Sequence, residues 1–315
     1  MSVKYGGVAV RQMSYGRKWK LSLRRHWPLY VLLFVPLSWL IVFSYVPMYG
    51  VVMAFQDYSI KLGYFGSPFV GFKHFARFFS SGLIWQLLQN TVYLSLYGMA
   101  VGMTTPILLA LMVNEIRQRH FQKATQMVAY LPYFISTVIS VAIFAQFFSN
   151  NGTLNQIRAL FGAGPVSLWG IKSTFRHLYV WSGVWTGVGF SSVIFTATLS
   201  KVDLELYEAA KLDGANRLQK IRHIDLPSIM PIITIQLIMS MSGILGVGFE
   251  KTYLMQTKLN LGVSEVISTY VYKASLLMSN YSFAQAVSIF NSVVALCFVV
   301  MANTIARKVS ETSLW

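Results

Sequence analysis

Ionisable side chains are scarce in this chain, and their placement decides what chemistry it can perform. Of 315 residues, 11% are charged and 55% are hydrophobic, whereas soluble domains carry roughly 25% charged residues. Acids, bases and amides concentrate in one stretch, Glu208 to Pro227, reading EAAKLDGANRLQKIRHIDLP. Long runs elsewhere contain no Asp, Glu, Lys, Arg or His. A proton relay or a gating-charge row needs such groups within the bilayer, despite a cost of about 2.5–3.5 kcal/mol for a centred Asp, Lys or Arg. An intramembrane hydrolase needs paired catalytic groups or metal ligands. Neither requirement is met, so no catalytic residue and no metal site is expected. Cys297, the single cysteine, lies in an apolar run and is expected to pack as a small hydrophobe. Glu115 ends another such run and is expected to cap it or to pair with Arg119.

About 20 consecutive apolar residues suffice to cross a bilayer. Six windows reach that length: 28–55, 87–113, 124–148, 178–199, 229–249 and 284–306. The fold class expected is an all-α membrane protein with six transmembrane helices. The first window is expected to be retained, because its basic leader is too long for a signal peptide and no small-x-small cleavage site follows. With the N-terminus inside, segments 1–26, 114–123, 200–226 and 307–315 hold 17 of the 26 Lys+Arg, and segments 57–86, 149–177 and 250–283 hold 9. Basic residues near span ends resist translocation, which places both termini and the 200–226 segment in the cytoplasm. The net charge of +16 therefore reads as topology. A nucleic-acid footprint would need a basic face on a soluble fold, so no nucleic acid is expected as a partner. Arg17, Lys18, Lys20, Arg24 and Arg25 are expected to meet anionic lipid headgroups. The organisation that follows is a basic segment at 1–26, a membrane domain at 27–310 and a tail at 311–315.

Pro36 and Pro47 within the first span predict a kink. In GFKHFARFF, residues 71–79, Phe72, Phe75 and Phe79 share one helical face, while Lys73, His74 and Arg77 fall largely on another. The pattern predicts a short interfacial helix with His74 on its wet side. Turn signals at 150–152 and 162–165 bracket a short helix over 154–161. Val263, Val266, Ile267, Tyr270 and Val271 are spaced for a further surface helix. Glu250-Lys251 ends span five on the outer side and reads as a rim pair, the alternative being a gate or a binding-protein contact.

The polar stretch itself reads as two helices and a turn. Asp203 can cap a helix over 204–211, and Gly214 can take the left-handed conformation that ends it. Asn216 and Gln219 have the spacing of a capping box for a second helix over 217–224, with Leu218, Ile221 and Ile224 as its apolar stripe. Pro227 is expected to stop it and feed the chain into span five. From the residues alone the unit is either a solvated helical loop or a surface for another protein.

Glu208-Ala209-Ala210, then Gly214, then Ile224-x-Leu226-Pro227, placed between the fourth and fifth of six spans, resembles the EAA loop of permease subunits from binding-protein-dependent ABC importers of the maltose type. The resemblance covers roughly residues 25–310 and is closest to the oligo- and polysaccharide group that includes alginate importers. It implies a cytoplasmic coupling helix that docks on an ATPase, with Glu208 toward a basic group there and Ala209, Ala210, Asp213, Gly214, Ile224, Leu226 and Pro227 forming the coupling unit. It also implies a second homologous permease, an ATPase dimer that holds ATP and Mg, an extracytoplasmic solute-binding protein, a carbohydrate cargo and a bacterial inner membrane. The chain has no G-x-x-x-x-G-K-[ST] motif, so no cofactor is expected on this subunit. The rival reading is an autonomous secondary carrier or channel for a small polar solute.

Spans four and five carry the best polar stripes. Trp181, Trp185, Thr186, Gly187, Phe190 and Ser191 include neighbours at helical spacing, and Ser240, Gly243, Ile244 and Val247 are expected to project from one side of span five. Measured from the EAA loop, these positions resemble the solute-contacting stretches of maltose-type permeases, though Ile244 and Val247 are apolar. Aromatic faces can stack on sugar rings, and hydroxyls or glycine backbone can bond sugar hydroxyls. Gln236 and Asn291 are further contacts or interhelical bridges. The competing role for Gly, Ser and Thr is close packing between membrane helices.

Overall fold

A computed structural model describes residues 15–243 and 245–309. Two compact units are present, one reaching Val52 and one starting at Met53. In the first, α1 (Tyr15–Leu40) departs from helical geometry at His26, two residues before Pro28. A proline ring crowds the preceding turn and its missing N–H removes a hydrogen bond, which accounts for the break there. Pro36 sits inside α1 with no non-helical residue beside it. Ahead of Pro47 the helix widens into a π turn, Ile41–Tyr45, in which Val46 N–H donates to the Ile41 carbonyl. The span Arg25–Phe55 is long and apolar enough to cross a membrane.

In the second unit, α2 (Lys73–Ser80) precedes α3 (Leu83–Asn114), α4 (Arg119–Tyr130), α5 (Thr137–Phe148) and α6 (Thr153–Leu160). Then come α7 (Lys172–Leu199), α8 (Leu204–Leu212), α9 (Arg217–Lys220) and α10 (Leu226–Ser242). The chain closes with α11 (Phe249–Leu254), α12 (Leu261–Ser264), α13 (Ile267–Tyr272) and α14 (Tyr281–Val309). Among the described residues the one β feature is an isolated bridge between Gln56 and Phe69.

Among the described residues five helices are long and apolar enough to cross a membrane, and a sixth span arises if Arg119–Phe134 and Thr137–Leu160, bent by 100°, count as one. The apolar window at 124–148 is therefore not a single straight helix. Pro132 and the extended residues Ile135 and Ser136 break it, and Ser136 recaps the chain by accepting from Ile139 N–H at 3.4 Å.

The helix α3 packs along α7 and carries the core from end to end. Leu87 joins Phe78, Ile267 and Phe283 at one end. Leu94 meets Phe175, Val247 and Val266 further along. Ala110 and Leu111 meet Phe195, Leu199 and Ile229 at the other end. Gly189 is required where α7 meets residues 129–130, since a Cβ there would run into the Ala129 carbonyl.

Three expectations are corrected here. His74 is buried rather than wet: its Nε2 lies 3.2 Å from the Gln56 carbonyl and 3.0 Å from Asp57 Oδ1. Lys73, 2.7 Å from Asp57, holds that carboxyl below its ordinary range, chiefly by hydrogen bonding. The face of α2 that turns inward carries Phe78, while Phe72 and Phe79 stay exposed. The stretch around Val263–Val271 is not a surface helix, because Val266, Ile267 and Thr269 are buried. Polar partners allow that burial: Ile267 N–H donates to Thr91 Oγ1 at 3.1 Å, and Asn90 Nδ2 donates to the Gly262 and Glu265 carbonyls at 3.0 Å each. Cys297 is exposed and therefore does not pack within the chain. The short helix expected near 154–161 is present as α6.

Candidate functional site

The polar insert is built by its own caps. Asp203 Oδ1 accepts from Glu205 N–H at 3.0 Å and starts α8. At the other end Gly214 N–H donates to the Lys211 carbonyl at 3.1 Å and Ala215 N–H to Ala210 at 2.8 Å. These are the paired bonds that close a helix through a left-handed residue, and Gly214 has φ +73°. Asn216 and Gln219 then form a reciprocal capping box at 2.8 and 2.9 Å. Two short helices are thus fixed in about twenty residues.

Pro227 does not end the second helix. Residues Ile221–Asp225 form a π turn in which Leu226 N–H reaches back to the Ile221 carbonyl, and the helix runs on into α10. The wider turn gives the Pro227 ring room, as it does before Pro47.

Outward, the insert shows Glu208, Asp213 and Gly214 together with the apolar side chains of Leu204, Leu206, Leu212 and Leu218. Inward, it is tied to the bundle through Asp225, which is fully buried. Tyr207 Oη donates to Asp225 Oδ1, and Asn114 Nδ2 at the end of α3 approaches the same oxygen at 3.5 Å. Burial first, and the Asp225 carboxylate second, push the Tyr207 hydroxyl up to about 12. Glu115 Oε2 lies 3.7 Å from Arg217 Nε, so its partner is in the insert rather than at Arg119.

Away from the insert, cavities line α7 in succession. One of about 390 Å³ lies among Thr137, Gly183, Thr186, Gly187 and Lys251. A second, about 300 Å³, shares Gly183, Gly187 and Lys251 and adds Gly98, Gly102 and Ser191. A third, about 600 Å³, shares Gly102 and Ser191 and adds Phe190, Gln236 and Ser240. A fourth, about 210 Å³, shares Ser240 and adds Gly243 and Val247. Shared lining residues link all four, with glycine leaving the room. The broken span contributes the first turn of α5 to the 390 Å³ cavity through Thr137, Ser140 and Val141. Among the described residues no group of three His, Cys, Asp or Glu could hold a metal ion.

Residues 102–311 match the family described as binding-protein-dependent transport system inner membrane component. The chain belongs to that family. Among relatives of this permease, the polygalacturonan/rhamnogalacturonan transport system permease protein YteP of Bacillus subtilis is 39% identical, over 91% of this chain and 90% of that protein. Protein LplB of the same organism is 36% identical over 95% of each. The fold matches a chain of the bacterial alginate ABC transporter solved in complex with an alginate pentasaccharide-bound periplasmic protein. That match has a TM-score of 0.86 and 37% identity, covering 95% of this chain and 100% of that one. Permease subunits of this kind are non-catalytic, multi-pass components of the membrane.

Within the permease, the expected coupling residues share one insert. Glu208, Ala209, Asp213, Gly214 and Pro227 are exposed, while Ala210, Ile224 and Leu226 are half-buried. Tyr207, Asp225 and Asn114 join them through the contacts above, and a lone acid two residues before a proline at the mouth of an apolar span is the sequence signal for Asp225.

Of the expected path residues, Thr186, Gly187, Phe190, Ser240 and Gly243 line the cavities. Trp181 lines none of these four and instead donates from Nε1 to Tyr97 Oη at 3.1 Å. Trp185 is likewise off them, edge-on to Phe144 at 5.5 Å between centroids. Asn291 borders none either, and its Oδ1 is buried. Ile244 lies outside the described residues. The single helical stripe expected over Ser240–Val247 is absent because α10 ends at Ser242, so Gly243 and Val247 reach the cavity from irregular backbone.

Lys251 is the largest correction. It is not a rim pair with Glu250: its Nζ donates to the Tyr179 carbonyl at 2.7 Å and sits 4.8 Å from the Tyr179 ring centroid. Burial lowers the ammonium to about 8.

Proposed function

We propose that this chain forms half of the translocation pathway of an ATP-driven importer for oligo- or polysaccharides. A second homologous permease supplies the other half, and a separate pair of ATPase subunits, holding ATP and Mg, grips the 200–227 insert from the cytoplasm. The observation that carries this reading is the insert: doubly capped, outwardly apolar around Glu208, and bonded through Asp225 to the end of α3. Such a unit moves as a rigid piece, so closure of the ATPases against it is passed to α3 and α10. Alternating access then follows from rigid-body rocking around the cavities along α7.

The excess of Lys+Arg on the segments that include the insert supports cytoplasmic termini and a cytoplasmic insert. A saccharide cargo is supported by the relatives, whose names specify polygalacturonan/rhamnogalacturonan, galactooligosaccharides and arabinooligosaccharides. An extracytoplasmic binding protein is supported by the alginate transporter, solved with its periplasmic protein. Thr186, Gly187, Phe190, Ser240 and Gly243 are the proposed contacts for solute, with hydroxyls and exposed backbone meeting sugar hydroxyls.

Affinity purification of the tagged chain from its own cell tests the assembly. An ATPase and a second permease are expected to co-purify, and Glu208→Lys is expected to release the ATPase while keeping the second permease. Saccharide uptake into liposomes by this chain alone, without ATP, would overturn the reading.

A further inference from the structure

Among the described residues, Lys251 is the one charged side chain that borders two of the four linked cavities, and the fold is arranged to admit it. Its ammonium reaches from α11 to the N-terminal third of α7, where it meets the Tyr179 carbonyl. A Cβ at Gly183 would stand only 3.0 Å from Nζ, so the glycine makes the space that the ammonium fills. An ammonium has three N–H donors, and the Tyr179 carbonyl takes one. The 390 Å³ cavity also receives the first turn of α5, through Thr137 and Ser140. The hydroxyls of these two residues add hydrogen-bonding groups to the same wall. Glu250 borders the same cavity with an exposed side chain, whereas Lys251 is drawn inward. The polar groups on the inward side thus offer donors and positive charge to a passing solute.

We propose that Lys251 is a specificity-determining residue that pairs with the carboxylate of an acidic sugar unit as the chain of sugars passes α7. The inference rests on the saccharide-importer reading and narrows its cargo to uronate-containing oligosaccharides. A positive site in a low-dielectric passage favours a carboxylate over the corresponding neutral ester, because a charge-assisted hydrogen bond is roughly twice as strong as a neutral one. Each acidic unit can exchange its partner for the next, so the pairing selects without trapping.

The test uses the complete transporter, purified with its own partner subunits and binding protein, in liposomes containing ATP. The probes are short oligogalacturonates and oligoalginates, each as free acid and as methyl ester. Wild type is expected to import at least one free acid. Lys251→Gln is expected to lower its uptake relative to the ester by about tenfold, equivalent to about 1.4 kcal/mol. Lys251→Arg is expected to keep the wild-type ratio. The binding protein is common to all arms, so its own preference cancels in the comparison. Equal loss of acid and ester uptake in Lys251→Gln would assign the lysine to holding α11 against α7 and overturn the proposal. An unchanged ratio would overturn it too. If wild type imports neither acid nor ester but does import a neutral oligosaccharide, the narrowing to acidic cargo fails and the importer reading stands. If it imports no saccharide, that reading fails and the inference with it.

Discussion

The insert at 200–227 and the cavities along α7 solve opposite problems with opposite materials. The insert is contiguous in sequence, and its shape is fixed by bonds between residues two to five positions apart, such as Asp203 with Glu205 and Asn216 with Gln219. The cavities draw their walls from α3, the broken third span, α7, the end of α10 and the chain around Lys251. Rigidity in the first comes from capped backbone, and openness in the second from missing side chains at Gly98, Gly102 and Gly187. A part that transmits force must not deform, whereas a part that passes solute must leave space. The two meet in α3, which lines the cavities through Gly98 and Gly102 and reaches the insert through Asn114.

That contrast can be broken most severely at the close approach of α7 to residues 129–130. Gly189→Val is expected to force α7 away from residues 129–130 and to destabilise the subunit by about 3 kcal/mol or more, because overpacking against backbone has no rotamer escape. Unfolding in detergent checks it, and a wild-type melting curve would show that the contact is soft. Tyr207→Phe is next. It leaves the fully buried Asp225 with the 3.5 Å approach of Asn114 as its remaining side-chain donor, and is expected to loosen the insert by about 1–3 kcal/mol. Hydrogen exchange should rise across 204–225 and stay unchanged in α7. A rise spread evenly over the molecule would mean that the insert is not an independent unit.

Smaller effects sharpen the division. Gly214→Ala is expected to cost about 1–2 kcal/mol, since a Cβ is disfavoured at φ +73°. Weaker ATPase association with intact second-permease pairing is the expected readout, and loss of both would contradict a local role. At the low end, Thr186→Ala removes hydrogen bonds made only within α7, to the Ser182 and Gly183 carbonyls. Stability should stay within about 0.5 kcal/mol, while KM for uptake should rise several-fold. Unchanged KM would take Thr186 off the solute path.

The two regions also differ in how far a reader of the sequence could see them. Local bonds made the insert legible: the Asp203 cap, the left-handed Gly214 and the Asn216–Gln219 box all stand where their spacing implies. Pro227 misled because a π turn, invisible to residue type, lets the helix pass through it. Periodicity puts Thr186, Gly187 and Phe190 on α7, where they line cavities, and Trp181 and Trp185 beside them. It could not register that Trp181 bonds Tyr97 of α3 or that Trp185 leans on Phe144. His74 and Val266 looked like surface residues since nothing near them in sequence announces the partners that bury them.

The sequence by itself determined the class of molecule, the long spans and the folded insert, because hydrophobic length and helix capping are local properties of a chain. Only the tertiary structure decided that span three is bent, that α10 ends at Ser242, and that Lys251 turns inward to Tyr179. The last of these depends on the space that Gly183 leaves on a neighbouring helix, and that space exists only once the helices are packed.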